Sequence, residues 1–141
     1  MRILAVDPGE VNIGLAVSDP SGTIANPLTV LRHVSREEDA RRIAALAEEH
    51  QAGRIVIGQA LDADGKVGFQ ARKSRRLAAA IRQRTTLPVE LWDESGTTGA
   101  AKTAMLEMGA ARKKRSGHLD ELAAAVLLQD YLDHAQVDRE E

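Results

Sequence analysis

Three acidic residues occupy places where a carboxylate is costly. Asp7 ends the apolar run Ile3-Leu4-Ala5-Val6 and precedes Pro8-Gly9. Glu94 closes Val89-Glu90-Leu91-Trp92-Asp93-Glu94, and Asp120 opens the apolar stretch that carries Ala123-Ala124-Ala125 and Leu127. A charge beside a core is destabilising unless it is paired or binds a metal. Three acids gathered at one place repel, and each resists ionisation unless a cation sits among them. Donors that are all oxygen favour hard ions, so this set points to one or two Mg²⁺ or Mn²⁺. Two such ions about 3.5–4 Å apart clamp the attacking water and the leaving oxygen of a phosphodiester. Two basic runs supply the matching phosphate binders: Arg72, Lys73, Arg75 and Arg76, then Arg112, Lys113, Lys114 and Arg115. Contacts of that kind position a nucleic acid without reading its sequence. The chemistry implied is metal-assisted cleavage of a nucleic-acid strand.

Each residue also has a plainer reading. Asp7 before Pro-Gly serves as a turn residue, Glu94 as a helix cap, and Asp120 as a complement to a helix dipole. Arg72 to Arg76 fits a solvated helix face, Arg112 to Arg115 a soluble loop, His118 an exposed position, and Trp92 the core. Asp62 and Asp64 read as loop residues. With aromatic residues at 2%, recognition by stacking on single-stranded bases is disfavoured. The acids gain meaning only if the fold brings them together.

The elements that must do so are legible from pattern. Arg2 to Asp7 is continuously apolar up to a turn signal, as a central strand is. Val11 to Ser18 follows a short turn and forms an antiparallel hairpin with it. Thr23 to Arg32 is a third strand, held to an edge by Pro27. Ser35 with Glu38 three residues on is a capping box, starting a helix to about His50 that Gly53 ends. Arg54 to Gly58 is a fourth strand, Gly68 to Arg84 a second helix, and Val89 to Trp92 a fifth strand. Thr97 to Met108 is a third helix; after the basic loop a fourth runs from His118 to about His134. Three strands followed by alternating helices and strands imply an α/β fold with a mixed sheet, an antiparallel hairpin joined to parallel strands by right-handed crossovers. Asp7 then lies at the carboxyl end of a middle strand, where open α/β sheets bind ligands. Asp120 shares a helical stripe with Ala123, Ala124, Leu127 and Tyr131.

The chain has 141 residues, 43% of them hydrophobic and 28% charged, which makes it globular rather than disordered. Residues 1–135 form a single expected domain and 136–141 an acidic C-terminal tail. There is no cysteine, so disulfides and thiolate metal sites are excluded. No leader-like or membrane-spanning run is present, and a cytoplasmic chain without a membrane partner is expected. The formal net charge is -2, yet base and acid are segregated, so a basic face is compatible with the total.

The segments DPGEVNIGLAVSD, RIVIGQALDADGKVG, LPVELWDESGTT and ARKKRSGHLDELAAAVLLQDYLD occur in that order. Together they resemble the YqgF/RuvX family, bacterial proteins of ribonuclease H-like fold related to Holliday junction resolvases. The likeness runs nearly end to end and leaves out only the tail after Asp133. It implies a five-stranded mixed sheet of order 3-2-1-4-5 with strand 2 antiparallel, flanked by helices. It also implies a metal-dependent nuclease linked to maturation of the 5′ end of 16S ribosomal RNA. The family's catalytic acids carry over to Asp7, Glu94 and Asp120. Two departures stand out: Ser95-Gly96 replaces the family's usual Arg and bulky residue after the Asp-Glu pair, and Gly58-Gln59-Ala60 replaces a Gly-Leu-Pro-like turn.

The expected partners are therefore nucleic acid, as an RNA precursor or branched DNA, and ribosomal particles, with the chain acting as monomer or homodimer. A junction resolvase and a catalytically silent assembly factor are the alternatives. An actin-like ATPase shares the opening motif but needs two such domains around its nucleotide.

Overall fold

A computed structural model of the chain describes residues 1–60, 67–94 and 120–140, the last helix by its backbone alone at Asp120 and from 136 onward. Five strands and three helices are described: β1 (Arg2–Pro8), β2 (Asn12–Ser18), β3 (Ala25–Arg32), α1 (Arg36–Glu49), β4 (Ala52–Gln59), α2 (Phe69–Arg82), β5 (Val89–Asp93) and α3 (Asp120–Glu140). The sheet order is β3-β2-β1-β4-β5. β2 is antiparallel to β1 and β3, whereas β4 is parallel to both β1 and β5. Order and sense are those expected.

The apolar run of β1 is continuous because the strand is covered on both faces. Leu4 and Val6 pack with Ile43 of α1 and Leu77 and Ile81 of α2. Ile3 and Ala5 pack with Ala124, Leu128 and Leu132 of α3. The molecule is thus three layers, with α1 and α2 on one face of the sheet and α3 on the other. Ala124 and Ala125, fully buried, are the small residues that allow close approach. β3 is an edge strand, and Pro27 sits beside a register shift in its pairing with β2, where a missing amide is tolerated.

Ser35 caps α1, its Oγ accepting from the Glu38 amide at 3.2 Å. The Glu38 carboxylate pairs with Arg41 instead of closing the box. The helix ends earlier than Gly53: Gln51 takes the left-handed turn at φ 56, and β4 begins at Ala52. Gly53 lies within β4, beside the exposed Met1 side chain. The last helix is described from Asp120 to Glu140, past the end expected at His134. Ala135 to Glu140 contains no glycine or proline to stop it. The expected helix over Thr97 to Met108 lies outside the described residues.

Candidate active site at the carboxyl edge of the sheet

β1, β4 and β5 are parallel, so Asp7, Gly58 and Glu94 emerge at one edge. The turn after Asp7 is tight, since a Cβ on Gly9 would lie 2.4 Å from the Asn12 carbonyl oxygen. Asp7 follows Ile3 and Ala5 in the strand alternation, which puts it on the α3 face. Across the hairpin it pairs with Gly14. On the other side the Val6–Ile57 pair brings Gly58 level with it one step later. Asp7 therefore has glycine on both neighbouring strands, and neither β2 nor β4 sets a side chain level with it, which leaves a notch in the sheet's own side-chain cover.

Glu94 fills part of that notch. A Cβ on Gly58 would lie 2.2 Å from Glu94 Oε1, 2.8 Å from its carboxyl carbon and 2.9 Å from Leu127 Cδ2. The carboxyl of Glu94 rests against the backbone of β4, at a spot only glycine leaves open. The neighbouring Trp92 confirms the core reading: it meets Tyr131 edge-on at 5.2 Å, and its Nε1 donates to Asp130 Oδ2 at 2.9 Å.

α3 runs opposite to β4. Leu127 stands by Gly58 near the strand's end, while Arg54 Nη1 donates to the Tyr131 hydroxyl at 2.7 Å near its start. The N-terminus of α3 thus points past the edge where Asp7 and Glu94 emerge, and Asp120 begins it about 10 Å along the axis from Leu127. Among the described residues no three His, Cys, Asp or Glu side chains stand close enough to hold an ion; the Asp120 side chain is outside that set. The donors that are described, two carboxylates beside a glycine notch, suit a hard divalent cation.

The first basic run lies on α2, whose start flanks the same edge from the opposite face. Arg72, Arg75 and Arg76 are exposed and Lys73 half-buried. Arg75 Nε lies 3.4 Å from Gln59 Oε1, the residue after Gly58. Arg112, Lys113, Lys114 and Arg115, with Ser95-Gly96, Asp62, Asp64 and His118, lie outside the described residues.

One charged cluster at this rim was not foreseen. Asp39, 2% exposed, bonds His33 Nδ1, the Val34 amide at 3.1 Å and Arg42 Nη2 at 2.7 Å. Burial alone would raise its pKa, but the bonds from Val34, His33 and Arg42 outweigh it and hold the carboxyl below its usual range. Its only sequence signal was a third acid in the first turn of α1, which reads as dipole complement. The single phenylalanine, Phe69, is 64% exposed at the first position of α2, where an apolar residue in a helix pattern reads as core.

Comparison with known proteins agrees with this architecture. A Clostridium acetobutylicum protein named as a candidate pre-16S rRNA nuclease is 40% identical over 133 residues, 94% of this chain and 98% of that one. A protein of the same name from an Anaeromyxobacter species is 41% identical over 133 residues, covering 94% and 97%. T. thermophilus RuvC in complex with a Holliday junction substrate superposes with TM-score 0.60 at 19% identity, over 99% of this chain and 96% of that one. The fowlpox virus resolvase bound to junction DNA gives 0.60 at 14% identity, over 96% and 99%. These two likenesses speak for the fold. The family model described as "RuvX: Holliday junction resolvase" matches residues 1–134, and the chain belongs to the RuvX family.

Proposed function

We propose that this chain is a metal-dependent nuclease that hydrolyses phosphodiester bonds in the maturation of the 5′ end of pre-16S rRNA in the cytoplasm. The observation that carries the reading is the Glu94 carboxyl laid on Gly58, one strand over from Asp7, at the carboxyl edge of a RuvC-like sheet. Family membership and the names of relatives 40% identical over nearly the whole chain support the substrate class.

Asp7, Glu94 and Asp120 are the residues that would hold Mg²⁺ or Mn²⁺. When bound, such ions activate water and stabilise the leaving oxygen. The chain's own contribution is rigidity and placement. β1 and β5 bring Asp7 and Glu94 to one edge of a packed sheet, and α3, packed through Leu127, carries Asp120 in its first described turn. With glycine on both neighbouring strands, neither β2 nor β4 sets a side chain level with Asp7 on this face. Arg72, Lys73, Arg75, Arg76 and Arg112 to Arg115 hold the flanking phosphates, so the strand is gripped by charge and shape.

The test offers purified protein, with Mn²⁺ or Mg²⁺, a 5′-extended small-subunit rRNA precursor and a four-way DNA junction side by side. Cleavage of the precursor that needs the ion and disappears in Asp7→Asn is the expected result. Cleavage of the junction alone would move the activity to recombination. No cleavage of either, with binding intact, would make the chain an assembly factor.

A further inference from the structure

On the face of the sheet opposite the Glu94 notch, the rim holds a second feature. A hollow of about 220 Å³ opens beneath the β1–β2 turn, its wall including Pro8, Gly9, His33, Arg36, Asp39 and Lys73. Pro8 directly follows Asp7, so the hollow begins one residue, about 3.8 Å of chain, from the candidate catalytic carboxylate. It is smaller than the 300–1,000 Å³ typical of small-molecule sites, and it has room for a phosphate group rather than a nucleoside.

Its charge is positive. The one carboxylate in the wall, Asp39, is engaged by Arg42, by His33 and by the Val34 amide. None of the ion pairs among the described residues uses Lys73 or Arg36, while Glu37 and Glu38 lie outside the wall. Asp39 engages the Nδ1 side of the His33 ring and leaves Nε2 outside that bond. Two uncompensated cations and an imidazole around a phosphate-sized space make an anion site.

We infer that this hollow, through Lys73, Arg36 and His33, binds a phosphate of the nucleic-acid strand while the adjoining bond lies at Asp7 and Glu94. This rests on the reading that the chain binds a strand at this rim. The phosphate is either an internal diester or a terminal 5′ monoester; both offer the same oxygens. A strand bent over the β1–β2 turn would touch both faces of the sheet edge, and the distance between hollow and notch would set where the cut falls relative to the bound phosphate.

The experiment is equilibrium binding of fluorescent single-stranded oligonucleotides, with 5′-phosphate or 5′-hydroxyl ends, to the full chain in the absence of divalent ions. Wild type is compared with Lys73→Gln and Arg36→Gln across a salt series. Losing one phosphate contact on a single strand lowers the slope of log K against log salt by about 0.7, which at 0.1 M salt is about a fivefold weaker Kd. Each variant should show that change, while Arg41→Gln, outside the wall of the hollow and paired with Glu38, shows none. If the change appears only with the 5′-phosphate, the hollow reads strand ends; if with both ends, it reads internal phosphates. Unchanged slopes in both folded variants, or the same loss in Arg41→Gln, would overturn the site. Because no cleavage is measured, failure of the nuclease reading would leave this result standing, and loss of the hollow would leave cleavage untouched as a claim.

Discussion

Gly58→Ala isolates the geometry on which the nuclease reading depends. The added methyl would sit 2.2 Å from Glu94 Oε1 and 2.9 Å from Leu127 Cδ2, against an ordinary contact of at least 3.4 Å. Relief requires the carboxylate oxygen to move by about 1.2 Å and the leucine methyl by about 0.5 Å. Glu94 lies just past the end of β5 and its carboxyl is the tip of a long side chain, so it yields first; Leu127 is 2% exposed and packed. Overpacking a core by one methyl costs about 1–3 kcal/mol, and replacing glycine with alanine returns about 0.4–1 kcal/mol through the unfolded chain. The net is about 1 kcal/mol, or roughly 3–5 °C in Tm for a chain of this size. Activity should fall much further, because a misplacement of about 1 Å in a catalytic group costs on the order of 10²-fold. The assay is ion-dependent cleavage over a Mn²⁺ titration beside thermal unfolding. The expected signature is a hundredfold loss of kcat or a weakened metal dependence at nearly intact Tm. Wild-type cleavage and metal dependence in a folded Gly58→Ala protein would show that the Glu94 carboxyl need not lie there, and Glu94 would lose its assigned role.

Three further outcomes follow from particular contacts. Glu94→Gln removes a charge from a rim already bearing Asp7, so stability should stay within about 0.5 kcal/mol while ion-dependent cleavage is lost; retained cleavage would exclude Glu94. Asp39→Asn leaves Arg42 without its carboxylate and weakens the bond to His33, costing about 2–3 kcal/mol, to be read as a drop of roughly 6–15 °C in Tm. Asp39 and Asp19 both have pKa values below normal in the fold, so near and below pH 4 the unfolded chain binds more protons. Their stabilisation is complete above that pH and is lost as pH falls through the folded values; Asp39→Asn should flatten the acid limb of a stability–pH curve. Tyr131→Phe breaks the hydroxyl's bond to Glu90 Oε2 at 2.8 Å and its acceptance from Arg54 at 2.7 Å. It should lower unfolding free energy by about 1–2 kcal/mol by denaturant titration with cleavage unchanged, since this network lies at the opposite end of the sheet from Asp7.

The parts of this molecule that could be inferred before its structure are those where one pressure acts alone. Ile3 to Val6 had to be a central strand because nothing else buries four successive apolar side chains before a Pro-Gly turn, and Pro27 had to sit at an edge because it lacks an amide to share. Helix ends were harder, since Gly53 and Gln51 competed to end α1 and the backbone placed the left-handed residue at a glutamine while the glycine fell within β4. That Asp7 and Glu94 leave the sheet at one edge followed from strand ends and parallel sense. What could not be read was why they fit. Gly14 and Gly58 are unremarkable as residues, and a glycine in a strand normally reads as a weakness. Their meaning appears only once the register sets them on either side of Asp7, a relation between three strands distant in sequence. Asp39 was hidden for a similar reason: three acids in a first helical turn look alike until the β3–α1 connection brings His33 back over one of them. A site built by subtraction, from side chains that are absent beside one that is present, becomes visible only when the sheet is assembled. For that reason Gly58→Ala, a change with almost no chemistry of its own, is a sharper probe of this rim than removing a carboxylate.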